Sequence, residues 1–213
     1  MRNDYNQFWH DKITETAKQG KRYGWFRRKR YARWARLFPR FILKNFPARN
    51  YYRGVASICE GFFCDLGCGL GATGAIYYAL SGKPSVGTDI SLEAIHFACA
   101  EKQRLGFKYP NFLSSDIFHT PFSANLFDTI YLGQVLEHIP DEHRALREAK
   151  RILKPNGLLI ISVPKENMLP SPYHVREYKI NDIEKLLSSY SKEKPVFYDF
   201  DQRRFVVTMR INK

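Results

Sequence analysis

The sequence predicts an α/β fold with a doubly wound sheet, because short apolar segments that end in an acidic residue alternate with helix-compatible segments. The first apolar segment ends near Asp65 and is followed by a glycine-rich turn and a helix-compatible stretch. The second and third segments end at Asp89 and Asp116. Ligands of open α/β sheets bind at the carboxyl ends of the strands, so these three carboxylates mark the expected site.

The glycine turn limits which ligand this site can take. Gly67, Gly69 and Gly71 leave no side chain between the backbone and a ligand, and the helix that follows presents unpaired amide groups. The spacing Gly67-x-Gly69-x-x-Ala72 also fits a dinucleotide fingerprint, in which a pyrophosphate lies at the helix start. Asp65 would repel that anion and favours a cationic or amino-bearing ligand. A turn without any ligand is the third interpretation.

A second strand is expected over residues 84–89. It ends at Asp89, which lies 18 residues after Gly71. The two acceptor oxygens of such a carboxylate match the two hydroxyl donors of a ribose, so Asp89 favours an adenosine-containing cofactor of either kind. Ser91 is expected to cap a helix over residues 92–105.

Three separated segments, in the correct order, resemble one known family. The stretch 62–74 resembles motif I of the class I S-adenosylmethionine-dependent methyltransferases. The stretch 126–141 resembles the fourth-strand region of the type 11 members of that class. The helix, turn and strand expected over residues 142–164, with the turn at 154–157, are also typical of that family.

The resemblance covers residues 58–213 and implies a Rossmann-like, seven-stranded mixed sheet with helices on both faces and the last strand antiparallel. A short helix is expected at 181–190, and the last two strands at 196–200 and 205–211. The short connection between these strands predicts an antiparallel hairpin.

The resemblance implies S-adenosylmethionine as the cofactor. Asp65 would face its methionine amino group, Asp89 its ribose and Asp116 its adenine. Asp116 could instead cap the turn that follows it. The expected cofactor-binding residues come from the ends of the first four strands: Asp65, Leu66, Gly67, Cys68, Gly69, Thr73, Asp89, Ile90, Ser115, Asp116, Ile117, Gly133, Gln134 and Val135.

Two histidines are the candidate catalytic residues. His138 follows the fourth strand, near the expected methyl-transfer site, and could instead form a local hydrogen bond that holds its loop. His174 follows the fifth strand, in a segment that resembles type 11 members acting on saccharide or lipid-linked intermediates. An imidazole near its ordinary pKa can accept a hydroxyl proton.

Three further residues are expected on the acceptor side by the same resemblance. Arg176 could hold a phosphate or carboxylate of the acceptor, or could pair with Glu177 or Glu166 at the surface. Tyr178 and Trp25 complete this substrate-binding set.

The bulk composition excludes several classes of protein. The chain has 213 residues and 44% hydrophobic residues, which describes one globular domain or a domain with an arm. No apolar run approaches the ~20 residues of a membrane span, and no apolar signal core follows the N-terminus, so a cytoplasmic location is expected. The cysteines have no paired CxxC spacing and no His-rich companion, so no metal site is expected: Cys59, Cys64, Cys68 and Cys99.

The positive charge is concentrated at the N-terminus. Residues 1–50 hold 14 Lys and Arg against 3 Asp and Glu, out of a formal net charge of +13 for the chain. We expect residues 1–57 to form a basic, aromatic helical arm and residues 58–213 to form the cofactor-binding domain. The arm could simply pack on the domain, or residues 21–44 could contact RNA or an anionic membrane surface.

These observations predict an S-adenosylmethionine-dependent methyltransferase that acts on the oxygen or carbon of an anionic or hydroxylated small molecule, with saccharide and lipid-linked intermediates included. The Asn-Pro-Pro-Tyr-like signature of amino-methylating nucleic-acid enzymes is absent after the fourth strand. The alternatives are an RNA methyltransferase that uses the basic arm and a catalytically silent cofactor-binding partner protein. The sequence specifies neither the acceptor nor the oligomeric state.

Overall fold

The computed structural model describes residues 49–169 and 171–213. The expected helix of the basic arm, its surface at residues 21–44 and Trp25 lie outside these residues. The described elements follow one another in chain order: α1 (Arg49–Ile58), β1 (Phe63–Leu66), α2 (Ala72–Ser81), β2 (Ser85–Asp89), α3 (Leu92–Leu105), β3 (Asn111–Ser114), β4 (Phe127–Gly133), α4 (Glu142–Ile152), β5 (Leu153–Pro164), α5 (Ile180–Ser188), β6 (Val196–Tyr198) and β7 (Arg204–Ile211).

The strands form a seven-stranded sheet in the order β3-β2-β1-β4-β5-β7-β6. Strands β1 to β5 pair in parallel, whereas β7 is antiparallel to both β5 and β6. The predicted mixed sheet with an antiparallel last strand is therefore confirmed. Because the chain moves from β1 outward to β3 and then returns to β4 on the other side of β1, the strand order reverses between β1 and β4. Such a switch point opens a crevice at the carboxyl ends of the strands.

Helices cover both faces of the sheet, as predicted. In β1, the side chain of Phe63 packs with Val55 of α1 and Ile76 of α2. The next residue, Cys64, belongs to the hydrophobic core on the opposite face of the sheet, which includes Leu146 of α4 and several residues of α5. All four residues of β1 are buried, as expected for a central parallel strand covered on both faces.

Helix α1 crosses the boundary at residue 57 that was expected between the arm and the domain. Its residues Tyr51 and Val55 are buried in the core on the α1–α2 face. Residues 49–57 therefore pack with the sheet, as part of the same folded unit as the strands that follow. No helix of the described segments has both the length and the apolar character of a membrane span.

The turn expected at residues 154–157 is an irregularity inside β5. Leu153 already pairs with Phe127 of β4, and the next pair joins Leu158 to Thr129, so β5 contains three more residues than β4 over this interval. Asn156 absorbs the excess with a φ of 59°, which asparagine tolerates better than most residues. The prediction of a turn was right about the local conformation and wrong about where the strand begins.

Candidate functional site

The glycine turn after β1 is fixed to β2 by its own backbone. The amides of Gly67 and Cys68 both donate to the carbonyl oxygen of Thr88 at 2.8 Å. Gly67 has a φ of 78°, and a Cβ placed there would lie 2.4 Å from a methyl group of Val135. The first glycine is thus required both by its dihedral angle and by the close approach of the segment after β4.

Asp65, near the end of β1, is a buried carboxylate. Burial raises its pKa to about 8, and the negative charge of Asp89 adds to the increase, while hydrogen bonds from the Thr73 side chain and the Gly74 backbone oppose it. A carboxylate held in this way is a ready partner for a cation, because a positive charge nearby would restore its ionised form.

Asp89 closes β2 and accepts two backbone hydrogen bonds. Its Oδ2 accepts from the amide of Gly69 and its Oδ1 accepts from the amide of Ser91, both at 2.9 Å. Burial raises its pKa, and these backbone donors limit the increase. Asp89 therefore connects the glycine turn to the start of α3. The predicted cap of α3 is confirmed, since the Ser91 hydroxyl accepts from the amide of Ala94.

Asp116 lies beyond the end of β3 and is half-buried. Its Oδ1 accepts from the amide of Phe118 at 2.9 Å, which is the turn-capping contact considered as the alternative to adenine binding. The neighbouring Ser115 donates its amide to the carbonyl of Asp89 at 3.0 Å, so the end of β3 is held beside the end of β2. The contact with adenine remains a prediction.

The segment after β4 begins with an unusual backbone conformation. Gln134 has a φ of 58°, which is uncommon for a residue other than glycine and is typical of strained functional segments. Its amide donates to the carbonyl of Ser162 in β5 at 2.7 Å, and its side chain donates to the Ser162 hydroxyl at 3.3 Å. These contacts turn the following residues over the switch point toward Gly67.

Three side chains that carry possible ligand or acid–base atoms meet just beyond this turn. The rings of His138 and His174 lie edge to face, with centroids 4.7 Å apart. Glu137 is buried beside them, and the ligand atoms of all three side chains lie within 4.8 Å of one another. The sequence-predicted histidines, 36 positions apart, are therefore brought together at the carboxyl end of β4. We name these three residues the Glu137–His138–His174 cluster.

A family model described as a methyltransferase domain matches residues 64–161, which run from β1 into β5. The matched segment contains both sides of the switch point. Over this segment the chain has the sequence pattern of the type 11 methyltransferase domain family.

The chain is also similar to known proteins in sequence and in fold. Uncharacterized protein MJ0638 of Methanocaldococcus jannaschii is 30% identical over 67% of this chain, and the ubiquinone biosynthesis O-methyltransferase of Coxiella burnetii is 31% identical over 60% of it. The chain spans 62% and 55% of the lengths of these two relatives. A solved SAM-dependent methyltransferase from Aquifex aeolicus superposes with a TM-score of 0.61 over 86% of this chain and 98% of its own, at 20% identity, which shows the shared fold.

The residues around the switch point fit S-adenosylmethionine, the cofactor named for the solved methyltransferase from Aquifex aeolicus. Asp65 and Asp89 supply two buried carboxyl groups, which suit an amino group and a pair of hydroxyl donors. Gly67 and Gly69 allow the backbone to approach a ligand closely. The assignment of individual residues to parts of the cofactor remains a prediction.

The pKa of Asp65 gives one prediction for cofactor binding. With a pKa of about 8 in the ligand-free methyltransferase, Asp65 is mostly protonated at pH 7, and pairing with an ammonium group requires the ionised form. We expect binding at pH 7 to release up to about one proton and the affinity to rise between pH 6 and 8. Calorimetric heats should then differ between phosphate and Tris buffers, and the difference should vanish in Asp65→Asn. Equal heats for the wild type in both buffers would contradict this role.

Arg176, predicted to hold an anionic acceptor, is occupied by the segment after β4. Its guanidinium donates to the carbonyl oxygens of Leu136, Ile139 and Pro140 at 2.7–2.8 Å and forms an ion pair with Glu142 at 3.0 Å. The ion pair is with a residue of α4 and not with either of the expected surface partners, Glu177 and Glu166. Arg176 thus holds the loop that carries the histidines. The contact of Arg176 with an acceptor remains a prediction.

Tyr178 is part of the same network and is buried. Its hydroxyl donates to Glu142, the carboxylate that also pairs with Arg176. This buried hydroxyl therefore supports the network around Arg176, and the contact of Tyr178 with an acceptor remains a prediction.

Two polar features near the site were not predicted from the sequence. The hydroxyl of Tyr51 in α1 lies 2.5 Å from that of Tyr131 in β4 and donates to Ser162 in β5 at 2.8 Å. The other is the buried Glu137, which looks like an ordinary polar residue of a loop until His174 is placed next to it. Tyr131 and Ser162 are distant from Tyr51 in the sequence, and His174 is distant from Glu137, so no local pattern marks these contacts.

Proposed function

We propose that this chain methylates a hydroxyl oxygen of a small molecule with S-adenosylmethionine. The cofactor supplies a methyl group that is already activated on a sulfonium. The chain then needs only to align the acceptor hydroxyl, exclude water and let the hydroxyl proton leave.

The observation that carries this proposal is the pair of imidazoles at the carboxyl end of β4. His138 and His174 are half-buried and lie in loops that open to solvent, so a small molecule can reach them. Val135, three residues before His138, lies close to Gly67 of the glycine turn, which supports a position of the pair next to the expected cofactor crevice. Nitrogen lone pairs and N–H groups at this position suit a hydroxyl, which both donates and accepts.

Two further points favour a neutral hydroxylated acceptor over an anionic one. Arg176, the residue predicted for phosphate or carboxylate binding, already contacts three carbonyl oxygens and one carboxylate. One relative, from Coxiella burnetii, is named as an O-methyltransferase of ubiquinone biosynthesis, which supports oxygen as the acceptor atom here. Phenols, quinols and the hydroxyls of saccharides or lipid-linked intermediates all belong to this class.

A panel of acceptors with radiolabelled methyl donor tests the proposal. We expect label in a hydroxylated small molecule, and we expect His174→Ala to lower its methylation at least about a hundredfold while S-adenosylmethionine affinity changes little. His96→Ala, which removes an exposed histidine of α3, is the matched control and should keep full activity.

Two outcomes would count against the proposal. Label that appears only in RNA, and is lost when residues 1–48 are deleted, would favour the nucleic-acid alternative. Cofactor binding without transfer to any member of the panel would favour a silent partner protein.

A further inference from the structure

The Glu137–His138–His174 cluster has the composition of a metal site. It combines one carboxylate and two imidazoles, and their ligand atoms lie within 4.8 Å of one another. Ligands of a single ion at about 2.0–2.2 Å from it lie roughly 3–3.5 Å apart, so the side chains would have to turn inward by about an ångström. Both histidines are half-buried and lie outside the helices and strands.

The hydrogen bond of His138 determines which of its nitrogens can bind a metal. Its Nδ1 lies 3.1 Å from the carbonyl oxygen of Tyr173. Because a carbonyl oxygen only accepts, Nδ1 must carry the hydrogen, and in the neutral ring the lone pair is then on Nε2. An imidazole whose second nitrogen donates to a carbonyl is the usual arrangement of a metal-binding histidine.

The buried carboxylate of Glu137 gives separate evidence that this cluster holds a ligand. The residue is 1% exposed, and neither of its carboxylate oxygens has a hydrogen-bond partner among the residues that the structure describes. The charge of Arg204 also acts on Glu137, and this guanidinium forms an ion pair with Asp201 while its buried Nε has no hydrogen-bond partner among the described residues. Buried carboxylates normally have a donor, a cation or a metal ion beside them. Here the neighbouring groups that could share a ligand with it are two imidazoles.

We propose that the Glu137–His138–His174 cluster binds one divalent ion of a first-row transition metal. Two imidazole nitrogens and one carboxylate favour Zn²⁺, Fe²⁺ or Co²⁺ over Mg²⁺ and Ca²⁺, which prefer all-oxygen sites. Three protein ligands leave at least one coordination position open, as in catalytic sites. Its use in the reaction rests on the proposed function: the open position would hold the acceptor hydroxyl and lower the pKa of that hydroxyl.

Metal binding can be measured without any acceptor. The full-length chain is stripped with a chelator, desalted and titrated with Zn²⁺ in a calorimeter, and Co²⁺ is added separately to record its visible absorption. We expect one Zn²⁺ per chain with a dissociation constant of about 1 μM or below, and much weaker binding of Mg²⁺. Glu137→Gln and His174→Ala should each weaken Zn²⁺ binding at least about a hundredfold, whereas His96→Ala should not change it.

The S-adenosylmethionine affinity of each variant shows whether the domain is still folded. If Glu137→Gln loses the fold, His174→Ala decides the outcome, because His174 lies in a half-exposed loop. Wild-type protein that binds no Zn²⁺ at this stoichiometry, or variants that bind it as tightly as the wild type, would overturn the site. Methylation of a hydroxylated acceptor by metal-free protein would support the proposed function and contradict a role of the metal in it. Zn²⁺ binding without any methylation would support the metal site and contradict the proposed function.

Discussion

Replacing Asp89 by alanine is expected to weaken S-adenosylmethionine binding more than about tenfold. The change removes a carboxylate that can accept from two ribose hydroxyls, and loss of about 1.4 kcal/mol already corresponds to a factor of ten. It also frees the amides of Gly69 and Ser91, which Asp89 holds at 2.9 Å, so the glycine turn loses an anchor at the same time. Calorimetric titration with the cofactor measures the effect.

Two further variants separate cofactor binding from folding in this test. Asp89→Asn keeps the size of the side chain and one acceptor oxygen, and should fall between the wild type and alanine. Asp199→Ala removes an exposed carboxylate just beyond β6 and should bind like the wild type. Unchanged affinity in a folded Asp89→Ala variant would remove Asp89 from the cofactor site.

Replacing Arg176 by alanine is expected to destabilise the domain by about 3 kcal/mol, because three carbonyl oxygens and Glu142 lose a charged donor together. For a domain of this size, that corresponds to a fall in melting temperature of about 6–12 °C. Turnover should fall as well, since the loop after β4 carries His138. Thermal unfolding and steady-state kinetics measure the two effects.

The same variant decides between the two roles considered for Arg176. Arg176→Lys keeps the charge but cannot reach all of these carbonyls, so it should recover only part of the stability. Arg53→Ala, an exposed arginine of α1, is the control and should unfold like the wild type. A melting temperature unaffected by Arg176→Ala, together with a raised KM for an anionic acceptor, would favour the substrate-binding role instead.

Most of the sheet could be predicted from the sequence because its signals are local. The carboxylates at Asp65 and Asp89, the glycines between them and the cap at Ser91 each lie next to the element they define, and the helix over residues 92–105 was predicted with its observed bounds. The number of strands and the antiparallel direction of the last one came from the resemblance to a family. The start of β5 was missed because Asn156 gives a turn signal that pairing with β4 overrides.

The acceptor side could be predicted only in part, because its geometry depends on contacts between distant segments. His138 and His174 were identified singly, and nothing in the sequence places Glu137 between them. The absence of a cysteine pattern led to the expectation of a metal-free protein, yet a site built from one carboxylate and two imidazoles leaves no such pattern. The contacts of Arg176 could not be predicted, because its three hydrogen-bond partners are backbone carbonyl groups of a distant segment. Every residue has such a carbonyl group, so no residue type marks the contact.

We infer that Asp65 and Asp89, at the ends of β1 and β2, bind a sulfonium nucleoside together and that Asp65 distinguishes it from a dinucleotide. The most direct measurement titrates the wild-type chain with S-adenosylmethionine and with NADH in the same calorimetric buffer. We expect saturable binding of one S-adenosylmethionine per chain and no measurable heat from NADH, whose pyrophosphate supplies no cation to pair with the buried carboxyl group of Asp65. Tight binding of NADH, with S-adenosylmethionine unable to displace it, would contradict this inference.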